Sequence, residues 1–375
     1  MRIAQLATVE LRVPPTGYGG IELVASLLTE ELVRRGHEVT LFASGDSVTR
    51  ARLQYICPHF IRGSNRDKGI WTMLNVVACL EQADRFDIIH NHTCFEGLAP
   101  AGLVKTPMLS TFHDGLEGDE LALFAAYKGY YNTISRSAKA LLPEKEGFIG
   151  VIYNAIDCGS YPFVDRGREG YLLFLGRFSR DKGPHIAIEA ARRLKRRLII
   201  AGSVPCIADE HYFKQRIMPQ VDGDIVQFFG EADYEQKRAL LANALCLLMP
   251  ITWPEPFGLV MVEAMACGTP VIAFARGAAP EVVLHGKTGF IVEDVGQMVE
   301  AVGEVHRIQR SRCREHVERN FDVSRMVDDY LHAYERILSA ETFTRTDTLP
   351  SPVPLLSYQA RSLGGLPIGE SIGKN

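Results

Sequence analysis

The chain of 375 residues carries 41 basic and 45 acidic side chains, a formal net charge of −4, and lacks the strong basic bias of a nucleic-acid binder. Hydrophobic content of 46% and charged content of 23% are those of a globular protein, long enough here for two separate cores. No stretch approaches the roughly 20 uninterrupted apolar residues of a membrane span.

The opening segment, MRIAQLATVELRV, is too short in apolar run and too often interrupted by charge for a secretory signal. The eight cysteines form no C-x-x-C pair and sit mostly inside apolar runs such as NALCLLMP and EAMACGTP. That is the pattern of reduced, buried thiols. The expectation is a cytoplasmic protein, with the inner membrane surface as an alternative address.

Short apolar runs alternate with helical periodicity, which predicts an α/β fold with parallel sheets. In the first half the strands are MRIAQLA, HEVTLFAS, FDIIHNH, PMLSTFH and GFIGVIYNA, with the helix IELVASLLTEELVRRG between the first two. A second series follows: YLLFLG, RLIIAGS, DIVQFFG, LCLLMP and PVIAFA, separated by helical segments such as PHIAIEAARRL and YEQKRALLANAL. Between the series lies DCGSYPFVDRGREG, poor in apolar residues and rich in glycine, which reads as an interdomain linker. The expected organisation is a first doubly wound domain over 1–156, the linker over 157–170 and a second such domain over 171–320. A helix over 321–340 and an extended or disordered tail over 341–375 complete it. In such an arrangement the ligands sit at the carboxyl ends of the strands, in the cleft between facing domains.

Several loops carry candidate chemistry. PPTGYGGIE sets Gly17, Gly19 and Gly20 ahead of a helix, a place for an anion at the helix N-terminus or a purely structural turn. It is not the dinucleotide fingerprint of an oxidoreductase, because Glu22 stands where the third glycine belongs. In FLGRFSRDKGPHIAIEA, Arg177 and Lys182 follow a buried strand and precede a helix. They are either solvated loop charges or two fixed cations able to neutralise a diphosphate without a metal.

WPEPFGLVMVEAMACGTPVIAF places Glu255 and Glu263 eight positions apart around the start of a buried helix. Burying carboxylates costs several kcal/mol unless something pairs with them, so both reach the surface or both face a polar ligand. A fully helical span of that length rises about 12 Å, beyond the roughly 5–9.5 Å of a glycosidase carboxylate pair. Two acceptors flanking a helix N-terminus fit two sets of sugar hydroxyls with a phosphate between them. The free amides of Phe257, Gly258, Leu259 and Val260 would meet that phosphate.

PEPFGLVMVEAMACGTPVIA resembles the signature of the family 4 retaining glycosyltransferases, which have two facing Rossmann-like domains, the GT-B fold. GRFSRDKG is similar to their diphosphate-binding element, YGGIE to their glycine loop, and GAAPEVVLHGKTGFIVED to the segment that follows the signature. The ordered set spans the chain to about residue 340. The resemblance implies donor-sugar hydroxyls on Glu255, the nucleotide ribose on Glu263, and the diphosphate on Arg177 and Lys182. His113 in STFHDG resembles the family's histidine beside the transferred sugar. Glu281 resembles a further acidic position on the donor side, and the base is read largely by backbone near Gly230 and Glu231.

The implied partners are a nucleotide-sugar donor, UDP-glucose before GDP-mannose, and a carbohydrate or lipid-linked acceptor, with no cofactor and no metal. A catalytically silent sugar-nucleotide binding module is the remaining rival. The literal Asp-x-Asp at Asp222–Asp224 reads as turn chemistry rather than a metal site. HNHTC offers His90, His92 and Cys94 no fourth zinc ligand at usable spacing, and its His92 is expected to end a strand at the cleft wall and touch the acceptor. RDKGIWTML, basic and then aromatic, is a candidate for weak contact with a membrane surface.

Overall fold

A computed structural model describes residues 1–165, 170–204 and 207–345. The linker positions 166–169 and the tail beyond 345 lie outside the described residues. Two parallel sheets organise the chain. The first contains β1 (Arg2–Leu6), β2 (Glu38–Phe42), β3 (Arg52–Gln54), β4 (Ile88–Asn91), β5 (Met108–Phe112), β6 (Tyr130–Thr133) and β7 (Phe148–Val151). Their spatial order is β3-β2-β1-β4-β5-β6-β7. The second contains β8 (Leu172–Leu175), β9 (Leu198–Ala201), β10 (Val226–Gly230), β11 (Cys246–Met249), β12 (Val271–Phe274) and β13 (Gly289–Val292). It runs in the order β10-β9-β8-β11-β12-β13.

Each sheet reverses its winding once, between β1 and β4 and between β8 and β11. Loops at the carboxyl ends beside such a reversal are splayed apart, which opens a crevice. The Gly17–Gly20 loop follows β1, Arg177 follows β8 and Glu255 follows β11, so the fold delivers these loops to the two crevices. Central strands such as LIIA, CLLM and VIAF are buried on both faces and read as unbroken apolar runs. Three strands escape that signal. β3 is a three-residue edge, β6 has the polar sequence YYNT, and β13 lies inside a segment bounded by turns.

The last described helix, Val323–Arg345, leaves the second domain and packs on the first. Its entry is fixed where Ile156 and Phe321 lie side by side. Ile156 N donates to Phe321 O at 3.0 Å, and Val323 N donates back to Ile156 O at 2.9 Å. Met326, Val327, Tyr330, Ala333, Tyr334 and Ile337 form one buried stripe at helical spacing. That stripe meets Ile3, Val24, Leu28, Ile88 and Leu109 of the first sheet and its first helix. Arg35 clamps the outer edge through Asp328 at 2.5 Å and the carbonyl of Ser324 at 2.9 Å. The core of the first domain is thus completed by the far end of the chain.

Candidate active site

The helix Leu259–Ala266 starts after Gly258, which takes the left-handed conformation at φ 79° and supplies no side-chain cap. The N–H groups of Phe257, Gly258, Leu259 and Val260 have no acceptor among the described residues. Their positive end of the helix dipole stays open. The segment before it is pinned from behind by Gly277, where a Cβ would lie 2.2 Å from Glu255 O and 2.3 Å from Glu255 N. Ala278 N then donates to Glu255 O at 2.8 Å, so the backbone of Glu255 cannot drift.

Both glutamates are paired with lysines. Glu255 Oε2 accepts from Lys182 Nζ in a short contact and from Trp253 Nε1 at 2.8 Å. The side chains of Lys182 and Glu255 are only 14% and 13% exposed, and the Lys182 ammonium also lies 5.0 Å from the Trp253 ring centroid. Glu263 Oε1 accepts from Lys237 Nζ at 2.5 Å and from Tyr161 OH at 2.9 Å. The choice between surface and ligand posed by the sequence therefore has a third answer in the ligand-free chain, an internal cation for each carboxylate. Lys237 and Tyr161 were invisible to the motif reading, since they lie 26 and 102 positions from Glu263.

Arg177 behaves differently. Its nearest carboxylate, Asp181, is 3.9 Å away, and its Nε is sealed from water with no acceptor among the described residues. An incoming anion cannot reach that sealed atom, but the side chain is 28% exposed, and a guanidinium without an acceptor favours an anion at its open nitrogens.

The opposite wall comes from the first domain. A Cβ on Gly20 would lie 3.4 Å from Leu259 Cδ1, and one on Gly17 would lie 3.3 Å from Glu231 Oε1. Gly20 therefore faces the open helix end and Gly17 the loop after β10, whereas a Cβ on Gly19 would meet Leu11 and Pro15 of its own domain at 2.8 Å. Gly202, after β9, lets the backbone after β8 pass close by, since a Cβ there would lie 1.7 Å from the Gly176 carbonyl. Asp114 is solvent-exposed at the mouth, yet it is hemmed in enough to hold its carboxyl above the usual range. Desolvation acts first there and the charge of Glu255 second. Tyr18 stands in the field of Arg177, Glu255 and Asp114, and neither Tyr18 nor Asp114 was singled out from the sequence. His113, immediately before Asp114, is buried with its Nε2 3.0 Å from His92 Nδ1.

Two expectations are corrected. Glu281 is spent between the domains instead of at the donor helix. Its Oε1 accepts from Ser137 N at 2.7 Å and its Oε2 from Arg136 N at 2.9 Å and Tyr153 OH at 2.9 Å. Burial and this carboxylate push the Tyr153 hydroxyl up to about 12. His92 does not line the cleft, because it is fully buried behind His113 and its other nitrogen meets Gln5 Oε1 at 3.0 Å. The Asp-x-Asp behaves as a turn: Asp222 Oδ1 accepts from Asp224 N at 3.0 Å and Val226 N at 2.9 Å.

Comparison with known proteins bears on the whole arrangement. Residues 18–159 match the family model described as Glycosyltransferase Family 4, and residues 163–319 match that of Glycosyl transferases group 1. The chain belongs to the family 4 glycosyltransferases. Its two facing parallel-sheet domains are the GT-B fold. A relative, the glycogen synthase of Mycobacterium tuberculosis, is 28% identical over 80% of this chain and 86% of its own. The D-inositol 3-phosphate glycosyltransferase of Pseudarthrobacter chlorophenolicus is 25% identical over 78% of this chain and 82% of its own. The crystal structure of AviGT4, a glycosyltransferase involved in avilamycin A biosynthesis, superposes with a TM-score of 0.72. It is 26% identical and covers 91% of this chain and 99% of that one. No described helix of this glycosyltransferase is long and apolar enough to cross a membrane.

The histidines behind the cleft generate a stability prediction. Burial holds His90 and His92 well below the ordinary imidazole range and His113 down to about 4. Unfolding restores values near 6.5, so between those limits the unfolded chain binds protons that the fold refuses. Stability is whole above the window and falls as pH falls through it, by roughly 2 kcal/mol between pH 7 and 5 from His113 alone. The raised carboxyls of Glu22, Glu96 and Asp114 oppose this in part. Denaturant titrations at pH 7 and 5 check it; equal or greater stability at pH 5 contradicts it.

Proposed function

We propose that this glycosyltransferase moves a hexose from a nucleotide diphosphate sugar, UDP-glucose first, to a hydroxyl of a carbohydrate or lipid-linked acceptor, with retention and without a metal. The observation that carries the reading is the Arg177 guanidinium, 28% exposed and with no hydrogen-bond acceptor among the described residues, together with the uncapped helix N-terminus. Together they form a preorganised site for a diphosphate.

On donor binding Lys182 turns from Glu255 to the phosphates, and Glu255 is released to accept from sugar hydroxyls. Glu263, held by Lys237 and Tyr161, supplies the ribose contact. The bond from the anomeric carbon to the leaving phosphate oxygen breaks as the acceptor oxygen bonds on the same face. The acceptor proton passes to the departing phosphate. Arg177, Lys182 and the amides of Phe257 to Val260 take up the developing negative charge, and His113 orients the sugar. The names of the relatives span a glycogen synthase and an inositol phosphate glycosyltransferase, so the acceptor is left as a class.

Assays with UDP-glucose and with GDP-mannose, in the presence of a chelator and with the product anomer read by NMR, test the proposal. UDP-glucose is expected to serve as donor, to give the α product, and to survive chelation. Preference for GDP-mannose would move the reading to a mannosyltransferase. A β product or loss of turnover with chelator would sink it. Arg177→Ala should lower kcat by about 10²–10³-fold, the cost of one missing charge-stabilising donor. Arg177→Lys should also suffer because the planar fork is lost. Wild-type rates in both would remove Arg177 from the chemistry.

Weak membrane contact is the companion proposal for a lipid-linked acceptor. Ile70, Met73, Leu74 and Val77 are exposed along one stripe of the helix Lys68–Leu80, next to Arg66 stacked 4.4 Å over Trp71. Flotation with anionic vesicles should recover the wild type and lose Leu74→Ser/Val77→Ser. Equal recovery of both would exclude this surface.

A further inference from the structure

Behind the cleft, four neighbouring strands and the returning helix share one buried polar chain. Gln5 of β1 lies beside His90 of β4, and Thr111 of β5 lies beside Asn132 of β6. Tyr330 and Tyr334 reach in from the helix Val323–Arg345. All are at most 3% exposed, and His113, at the cleft end, is 5% exposed. The contacts run without a gap. His113 Nε2 meets His92 Nδ1 at 3.0 Å, and His92 Nε2 meets Gln5 Oε1 at 3.0 Å. Gln5 Nε2 donates to Tyr334 OH at 3.2 Å, and that hydroxyl meets His90 Nδ1 at 2.7 Å. His90 Nε2 meets Thr111 Oγ1 at 2.7 Å. Thr111 Oγ1 donates to Asn132 Oδ1 at 2.7 Å and lies 3.1 Å from Tyr330 OH, which accepts from Asn132 Nδ2 at 3.4 Å.

Counting protons gives the chain a direction. Let the Thr111 hydroxyl donate to Asn132. Thr111 then accepts from Tyr330 and from a protonated His90 Nε2. His90 Nδ1 accepts from Tyr334, Tyr334 accepts from Gln5, and Gln5 Oε1 accepts from His92 Nε2–H. His92 Nδ1 is left as an acceptor, which requires the proton on His113 Nε2. Every contact contains one proton. In the reverse direction Thr111 spends its single proton on His90, and Asn132 must turn its amide round and take the Tyr330 proton. The 3.1 Å pair of Thr111 and Tyr330 oxygens then has no proton between them. Charged imidazoles would break the count as well, and burial disfavours them.

We propose that this chain fixes His113 as the neutral Nε2–H tautomer, so that its Nδ1 faces the cleft as a hydrogen-bond acceptor. His92 and Gln5 are then positioning residues, anchored at their far end by Thr111, Asn132, Tyr330 and Tyr334. His113 Nδ1 has no partner among the described residues and is not among the sealed atoms that lack one. The bound sugar therefore donates a hydroxyl proton to His113 and receives none from it. A helix supplied by the end of the chain sets the polarity of a contact in the cleft between the domains. The consequence for turnover rests on the transferase reading; the tautomer does not.

Nitrogen-15 NMR of histidine-labelled protein at pH 7.5, without donor, reads the tautomer directly in the unaltered chain. The proton is expected on Nε2 of His113, and an Nδ1–H tautomer or an imidazolium would overturn the proposal. In Gln5→Leu the fixed tautomer should give way to a mixture. With a donor that turns over, Gln5→Leu should lower kcat about tenfold, the scale of one net hydrogen bond. Its KM for the nucleotide sugar should stay within about twofold. A Gln5→Leu variant with the wild-type His113 tautomer would also contradict the proposal. Failure to find a donor would leave the NMR outcome intact and count only against the transferase reading.

Discussion

The site depends on one helix whose N-terminus is left unanswered. Leu259–Ala266 is buried and short, and its first amides meet no side-chain cap. A fold that only needed stability would place Ser, Thr, Asp or Asn before it, a cap worth about 1 kcal/mol. Instead it has a left-handed glycine, a carboxylate on each side, and a cation on each carboxylate. Buried ion pairs of this kind contribute little net stability, but losing one partner is costly. They fit a site in which the cations and carboxylates exchange partners when a charged ligand arrives.

The two pairs are not equivalent. Glu255 is held by Lys182 from the loop after β8, on a segment that also carries Arg177. Glu263 is held by Lys237 and Tyr161 within the second domain and is almost wholly buried. The first pair lies at the cleft, where the field of Glu255 is felt by Tyr18 and Asp114 of the other domain. The second anchors the helix from its inner side. Glu281 joins the domains at a third place, by capping the first turn of the short helix Arg136–Ala140 with a carboxylate from across the interface. The cleft is thus spanned by polar contacts, while the apolar seam lies behind it along the returning helix.

Sequence periodicity was enough for the two-domain α/β architecture, because buried parallel strands such as LIIA and VIAF announce themselves. It failed at β6, whose Asn132 and Thr133 are buried but polar, since hydrophobic pattern has no means of reporting a satisfied polar core. Arg177, Lys182 and Glu255 were legible because each sits in a short motif next to a strand end. Lys237, Tyr161 and the Gln5–His92–His113 relay were not. Their meaning exists only once strand order puts β1 beside β4 and β4 beside β5, and once residue 334 returns to residue 5. For the same reason Glu281 was misplaced: a local motif names a residue type but not the domain its carboxylate will reach.

The central claim is that the open helix end and its flanking cations form a diphosphate site that is resting in the ligand-free chain. A crystal structure with a bound, non-hydrolysable nucleotide sugar tests this most directly. The account predicts phosphate oxygens on Arg177, on Lys182 and on the amides of Phe257 to Val260, with Lys182 parted from Glu255. A structure in which Lys182 and Glu255 remain paired while the diphosphate binds elsewhere would contradict it.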